Sequence, residues 1–535
     1  MRTLQAFLTM TAYLPLMTYA IAFLLLSGLL FVLGRVGSRN ILNEKKVSSL
    51  PITIGSILVI VNFIILSVIC LITPGFMDHI ESAITIDSMM MLTGHPLFQA
   101  PETTQQYSMI YGPMLSLIQS CFMYVFTPSF FSAKLPGFIL SIVNVYLIYH
   151  LSFVVFKNRR LSLFMTAIFV ALITRYSFLF WGVRADTMVL FCVILSSILI
   201  LRAERRVFVL LIIGILAGVA INLKTYAFIY FIPQYYFLLK RSGLKAFIPV
   251  LPAILGSAYL PFLFPLIDLH SYIQRMGAFS GNLSHPVDLM PIFLVNVSAI
   301  LFFLIPLFLI LNVKRLVREE GFSMLILGIS IMAMAFFACH ASQRLTYYLV
   351  PFIPICFIVF SGHFISNEPY ILVNKRMRWW IPYLAILLLF VLIGDLKVGN
   401  YRLRNDRLII KDLDQILKTH DTTPISMGYS STFPSFKQND YLTYYQNYLL
   451  FKGQPLLISG TRMLDNSILF SYYKTPIIPA NTLAAIKSGF IKVWLFPRGA
   501  TPGFFGSASF KTEFMRHYKL LSNSRFYSLW VYEED

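Results

Sequence analysis

Apolar runs of membrane-crossing length recur at 12–34, 51–73, 135–156, 161–180, 187–201, 207–222, 225–239, 246–267, 291–312, 321–339, 347–365 and 379–395, with polar or basic residues between most of them. A hydrocarbon layer about 30 Å thick takes about 20 apolar residues in helical form, so the pattern predicts about twelve spans, some of them short. Only a helix satisfies its own backbone groups within one segment, which is why such runs read as helices. From 396 onward the long runs stop. There 404–420 and 441–451 have helical spacing, and 424–427, 455–459 and 491–496 read as strands. The fold class is therefore mainly α: a polytopic membrane helix bundle over 1–395, followed by a small α/β domain over 396–535.

Composition agrees with this division. Of the 535 residues 57% are hydrophobic and only 12% charged, against about 25% charged in an ordinary soluble domain. That excludes a soluble enzyme, a disordered chain and a small disulfide-stapled module. The first run, 14–33, is too long for the core of a signal peptide and has no small-residue cleavage site before Arg35, so it is expected to remain as a helix. Cys70, Cys121, Cys192, Cys339 and Cys356 lie in or beside apolar stretches without metal-ligand spacing and read as small buried hydrophobes.

The net charge of +20 gains its meaning from where the charges sit. Basic residues gather in alternate gaps: Arg35, Arg39, Lys45 and Lys46; Lys157, Arg159 and Arg160; Arg202, Arg205 and Arg206; Lys240, Arg241 and Lys245; Lys314, Arg315 and Arg318; Lys375, Arg376 and Arg378. The positive-inside rule puts these gaps in the cytoplasm. The long loop 74–134, which has no Lys or Arg before Lys134, and the region from 396 onward then face outward. Arg2 would also lie outside, against the rule. A topology signal of this kind leaves no case for a nucleic-acid partner; the partner is the lipid bilayer.

Ionisable groups collect at the outer ends of the predicted helices, where charge beside a bilayer points to function. Asp78 and Glu81 are three apart and would share a helical face, and two close carboxylates beside apolar residues favour one of them as a proton acceptor. The same spacing also fits a solvated acidic face. Asp87 falls on another face and is expected to meet solvent. The stretch 114–127 is expected to lie along the membrane or re-enter it, because a full crossing would move the cluster at 157–160 outside. Arg184 and Asp186 form either a local ion pair or part of a site. Lys224 ends a span on the outer side, where it either snorkels to the interface or meets a lipid phosphate. His340 and Arg344 are four apart on one predicted face, followed by Tyr347 and Tyr348 as interface aromatics.

These residues resemble a known group. Asp78-x-x-Glu81, Gly94-x-Pro96-Leu97-Phe98 and Tyr107-x-x-x-Tyr111-Gly112-Pro113 are similar to the first outer loop of GT-C fold glycosyltransferases, among them protein O-mannosyltransferases, aminoarabinose transferases and bacterial lipopolysaccharide glycosyltransferases. Arg184-x-Asp186 resembles the Arg-Pro-Asp of their second loop. Lys224 and Tyr347-Tyr348-Leu349-x-Pro351 fall where such proteins carry a lysine and a Tyr-rich segment. The resemblance implies a GT-C-like bundle in a membrane, the bacterial cytoplasmic membrane by analogy with the lipopolysaccharide enzymes, with its active site on the outer face.

The resemblance further implies an inverting sugar transfer from a polyprenyl-phosphate donor to a lipid, glycan or protein acceptor. Glu81 is assigned as the general base with Asp78 as its helper. Lys224, Arg344 and Arg184 are assigned to the donor phosphate, and Asp186, His340, Tyr111 and Tyr347 to supporting roles. No definite cofactor is implied; a divalent cation bound by the first-loop acids stays open as an alternative, although no ligand spacing argues for one. The rival class is a transporter or lipid-linked glycan flippase, which would place polar groups at the bilayer midplane and show two related halves.

Overall fold

The computed structural model describes residues 50–72, 75–76, 79–98, 111–174, 182–202, 206–280, 313–340, 346–361, 408–409, 411–416, 418–419, 425–427, 486–489, 492–500 and 508–533. The expected spans at 12–34, 291–312 and 379–395, the segments 441–451 and 455–459, and the candidates Asp78 and Arg344 lie outside them.

The helices of the bundle are α1 (Leu50–Ile72), α2 (His79–Leu92), α3 (Pro113–Val125), α4 (Phe130–Phe156), α5 (Arg159–Thr174), α6 (Ala185–Arg202), α7 (Val207–Leu223), α8 (Phe228–Ser242), α9 (Phe247–Tyr259), α10 (Leu269–Ser280), α11 (Val313–His340) and α12 (Phe352–Val359). Five helical stretches among the described residues are long and apolar enough to cross a membrane, and α3, α7 and the stretch ending in α12 are apolar but shorter. The chain is an integral, multi-pass membrane protein.

Large apolar side chains on α1, such as Ile65 and Ile72, point out of the bundle, as lipid-facing residues do. At its centre α5 and α6 are buried along most of their length. Polar side chains there are paired: Asn144 donates to the Thr187 carbonyl at 3.0 Å, while Gln234 accepts from Ser196 at 2.8 Å and donates to Ser197 at 3.0 Å. Paired groups of this kind avoid the penalty of an unsatisfied polar atom in apolar surroundings. Helices α7 and α9 approach closely because Gly214 and Gly218 present no side chain; a Cβ on Gly218 would stand 2.3 Å from the Ile254 carbonyl.

Lys240 at the end of α8 pairs with Glu320 of α11 at 2.6 Å, and Arg202 at the end of α6 meets His150 near the end of α4. Basic gaps assigned to one side of the membrane thus meet across helices.

Among its described residues the outer loop 74–134 carries α2, α3 and the first turn of α4. Two expectations are corrected. Asp87 is buried rather than solvent-facing, because α2 lies beneath α3 and every residue from 81 to 88 is buried. Cys121, expected inside, is exposed on α3.

In the C-terminal region β1 (Ile425–Met427), β2 (Val493–Pro497), β3 (Tyr518–Asn523) and β4 (Tyr527–Tyr532) form one sheet in the order β1-β2-β4-β3, with α13 (Ala508–His517) leading into β3. β1 runs parallel to β2 and the other pairs are antiparallel. β1 and β2 match the strands expected at 424–427 and 491–496, whereas α13, β3 and β4 were not anticipated. Trp494, Phe496, Phe514 and Tyr518 form an aromatic core.

Candidate functional site

Helix α7 ends at Leu223, and Lys224 follows in an extended conformation as its C-cap. Two residues earlier, Asn222 clamps the neighbouring chain: its Oδ1 accepts from the Met114 N–H at 2.8 Å and its Nδ2 donates to the Ala258 carbonyl at 2.9 Å. Gly112 is pressed so closely onto this turn that a Cβ there would lie 1.4 Å from the Asn222 carbonyl oxygen. Pro113 starts α3 at the position where its missing N–H is no loss. Together these contacts lay Tyr111 over Lys224, with Nζ 5.2 Å from the ring centroid.

Three further rings close around the ammonium: Tyr226 at 5.6 Å, Tyr347 at 5.3 Å and Tyr348 at 5.5 Å. The turn carrying the last two is held by Tyr230, whose hydroxyl donates to the Tyr348 carbonyl at 2.8 Å. Tyr347 and Tyr348, expected at the membrane interface, are buried instead. Lys224 donates to Asp186 Oδ1 at 2.6 Å, and only 3% of the lysine is exposed. Ring faces and a carboxylate replace the water such a charge would otherwise need. Burial pulls the ammonium below the usual lysine range, with Asp186 opposing; burial, then Asp186, pushes the Tyr111 phenol well above its ordinary value.

Glu81 stands in the first turn of α2, 1% exposed, and its Oε1 accepts from the Val183 N–H at 3.0 Å. The next residue, Arg184, is also buried and donates to the Tyr111 hydroxyl at 3.2 Å. Asp186, two further on, takes Lys224. The segment 183–186 therefore links the first-loop acid to two of the three cations expected to hold a phosphate, Arg184 and Lys224. Asp186 meets a partner from a distant part of the chain, which the sequence left open between a local pair and a site role. His340 closes α11; the face it was expected to share with Arg344 extends beyond the described residues.

Sequence reasoning did not assign Gln119 or Lys134 to the site. Gln119 ties α3 to α2 and α4 by accepting from Ser88 at 2.6 Å and donating to Thr85 at 2.9 Å and to the Ala133 carbonyl at 3.3 Å. Lys134 donates to the Cys70 carbonyl at 2.9 Å and lies within electrostatic reach of Glu81. Both are polar residues within otherwise apolar stretches, and that was the available signal.

Residues 111–264 match the family model described as dolichyl-phosphate-mannose-protein mannosyltransferase. The match takes in Tyr111, Arg184, Asp186 and Lys224 and begins after Glu81. No match was found among curated proteins. Among solved structures the chain is similar to ArnT from Cupriavidus metallidurans bound to undecaprenyl phosphate, at 12% identity over 88% of this chain and 97% of that one, with a TM-score of 0.48. It is similar to the apo state of that protein at 11% identity over the same shares, with a TM-score of 0.49. The Archaeoglobus fulgidus oligosaccharyltransferase in complex with Zn and sulfate gives 13% identity over 83% of this chain and 68% of that one, with a TM-score of 0.44. The family match bears out the resemblance to GT-C fold glycosyltransferases and, at the level of class, the reading of a membrane glycosyltransferase.

Gly112→Ala tests the clamp. The added methyl must push the Tyr111 loop off the end of α7, and a displacement of about 1 Å at a site costs about 10²-fold in rate. Sugar transfer by membranes containing the variant is expected to fall to that extent while the amount of folded protein, followed by size-exclusion chromatography, is retained.

Proposed function

We propose that the protein is an inverting glycosyltransferase that moves a sugar from a polyprenyl-phosphate carrier to a hydroxyl-bearing acceptor on the outer face of the membrane. The observation that carries this reading is the segment 183–186, which joins Glu81 to Arg184, Tyr111 and the Lys224–Asp186 pair. The matched family's description, dolichyl-phosphate-mannose, supports a lipid phosphate as the carrier.

In this mechanism the Glu81 carboxylate accepts the acceptor's proton as its oxygen attacks the anomeric carbon. The Val183 N–H holds the carboxylate in place through Oε1. Arg184 and Lys224 stabilise the charge that develops on the departing phosphate. Asp186 takes one N–H of Lys224, and the phosphate reaches the others when a covering tyrosine ring rotates away. The surrounding apolar helices accommodate the prenyl chain and limit water. Asp78 assists Glu81 and His340 has a supporting role, while Lys224, Arg184 and Asp186 form the phosphate seat itself. Domains at 1–395 and 396–535 divide the work, the second presenting the acceptor.

The test is transfer of a radiolabelled sugar from a polyprenyl-phosphate donor by the purified protein in vesicles. Transfer that depends on Glu81 supports the proposal, and absence of transfer from every such donor overturns it. The sidedness is checked separately. Thr93, exposed just beyond α2, is the probe for the outer face. Thr93→Cys is expected to react with an impermeant maleimide on intact cells and Lys157→Cys only after permeabilisation; the reverse pattern would invert the orientation.

A further inference from the structure

The charges around Asp186 bear on which form of the lipid phosphate the site retains, an inference that rests on the phosphate seat proposed above. Asp186 places Oδ1 on Lys224, while its buried Oδ2 has no hydrogen-bond partner among the described residues. Facing it are Lys224 from the end of α7, Arg184 from the preceding loop, and the phenols of Tyr111, Tyr226, Tyr230, Tyr347 and Tyr348. The phenols are neutral at ordinary pH. Glu81 faces the same segment from α2, and Lys134 of α4 lies within reach of it, so that those two charges offset each other before transfer. Among the described residues the seat itself then holds two cations, Lys224 and Arg184, and one anion, Asp186.

A sugar phosphodiester carries one negative charge and brings this seat to neutrality. During transfer the acceptor oxygen bonds to the anomeric carbon, the carbon–oxygen bond to phosphate breaks with its electron pair going to the phosphate, and the proton passes to Glu81. The product is a phosphomonoester whose second ionisation lies at about pH 6. Once Glu81 has released its proton to water, at neutral pH the product leaves one negative charge uncompensated beside Asp186, in surroundings where like charges repel strongly. We infer that Asp186 sets the specificity of the seat, holding the phosphodiester donor and expelling the phosphomonoester product.

The test compares the inhibition constant of undecaprenyl phosphate with the KM of the sugar-linked donor, in full-length protein, between pH 5.5 and 7.5. In the wild type the inhibition constant is expected to rise about tenfold across this range as the phosphate ionises, while the donor KM stays level. Asp186→Asn is expected to lower the inhibition constant at pH 7.5 by at least about tenfold, with a smaller change in donor KM, and to abolish its rise with pH. Asp186→Glu should restore the wild-type pattern. A flat inhibition constant in the wild type, or equal changes for donor and product, overturns the role of Asp186. A rise shared by donor and product also overturns it, since that marks loss of the Lys224 proton. Should the Asn variant fail to fold, the wild-type pH series decides alone. Transfer with an unaltered product-to-donor ratio defeats only this inference, whereas no transfer at all defeats the proposed function with it.

Discussion

Glu81→Gln is expected to lower sugar transfer by about 10²–10⁴-fold, the usual contribution of a general base. The substitution is close to isosteric, and the amide oxygen can still accept from the Val183 N–H that Glu81 now binds. The segment 183–186 therefore keeps its place, and with it Arg184 on Tyr111 and Asp186 on Lys224. What is lost is the capacity to take a proton. Single-turnover transfer from pre-bound donor isolates that step, and donor affinity should be almost unchanged. Transfer within a few-fold of wild type would remove Glu81 from the chemistry.

Lys224→Met acts on both function and stability. Loss of one group that stabilises developing charge lowers the rate by about 10²–10³-fold. The Asp186 carboxylate, now buried without its partner, costs about 3–5 kcal/mol of stability, as removal of one member of a buried pair does. The double variant Lys224→Met/Asp186→Asn removes both charges and is expected to recover most of the stability and none of the transfer. Thermal unfolding in detergent, read beside the transfer assay, separates these effects; a double variant as unstable as the single one would show that the pair is not what holds this end of the bundle.

The bundle was legible because lipid imposes a simple pattern: spans expected at 51–73, 187–201 and 207–222 lie within a residue or two of α1, α6 and α7. Glu81, Arg184 and Lys224 stand out in the sequence as charged groups at helix ends, where their type alone suggests function, whereas Tyr111 enters only through the family resemblance. Their mutual arrangement was not legible. Nothing in the spacing of Arg184-x-Asp186 reveals that Asp186 takes a lysine 38 positions on. Asp87 was misjudged because face counting assumes a helix with one side in water, whereas α2 is covered all round over 81–88. The tyrosine pair was misjudged for a related reason. Aromatic residues near a span end ordinarily mark the interface, but here the Tyr230 hydroxyl holds their turn and Tyr347 and Tyr348 enclose a cation. In the C-terminal region β3 was hidden because its residues after Tyr518 are exposed, leaving no apolar alternation to read.

The arrangement is tested most directly by an electron cryo-microscopy structure of the full chain with undecaprenyl phosphate bound. The phosphorus is expected within about 4 Å of the Lys224 ammonium, the range of an ion pair, with the Arg184 guanidinium on a second phosphate oxygen, a tyrosine ring displaced and Glu81 lining the same cavity. A lipid phosphate seated elsewhere, with Lys224 still enclosed by its four rings and bonded only to Asp186, would contradict it.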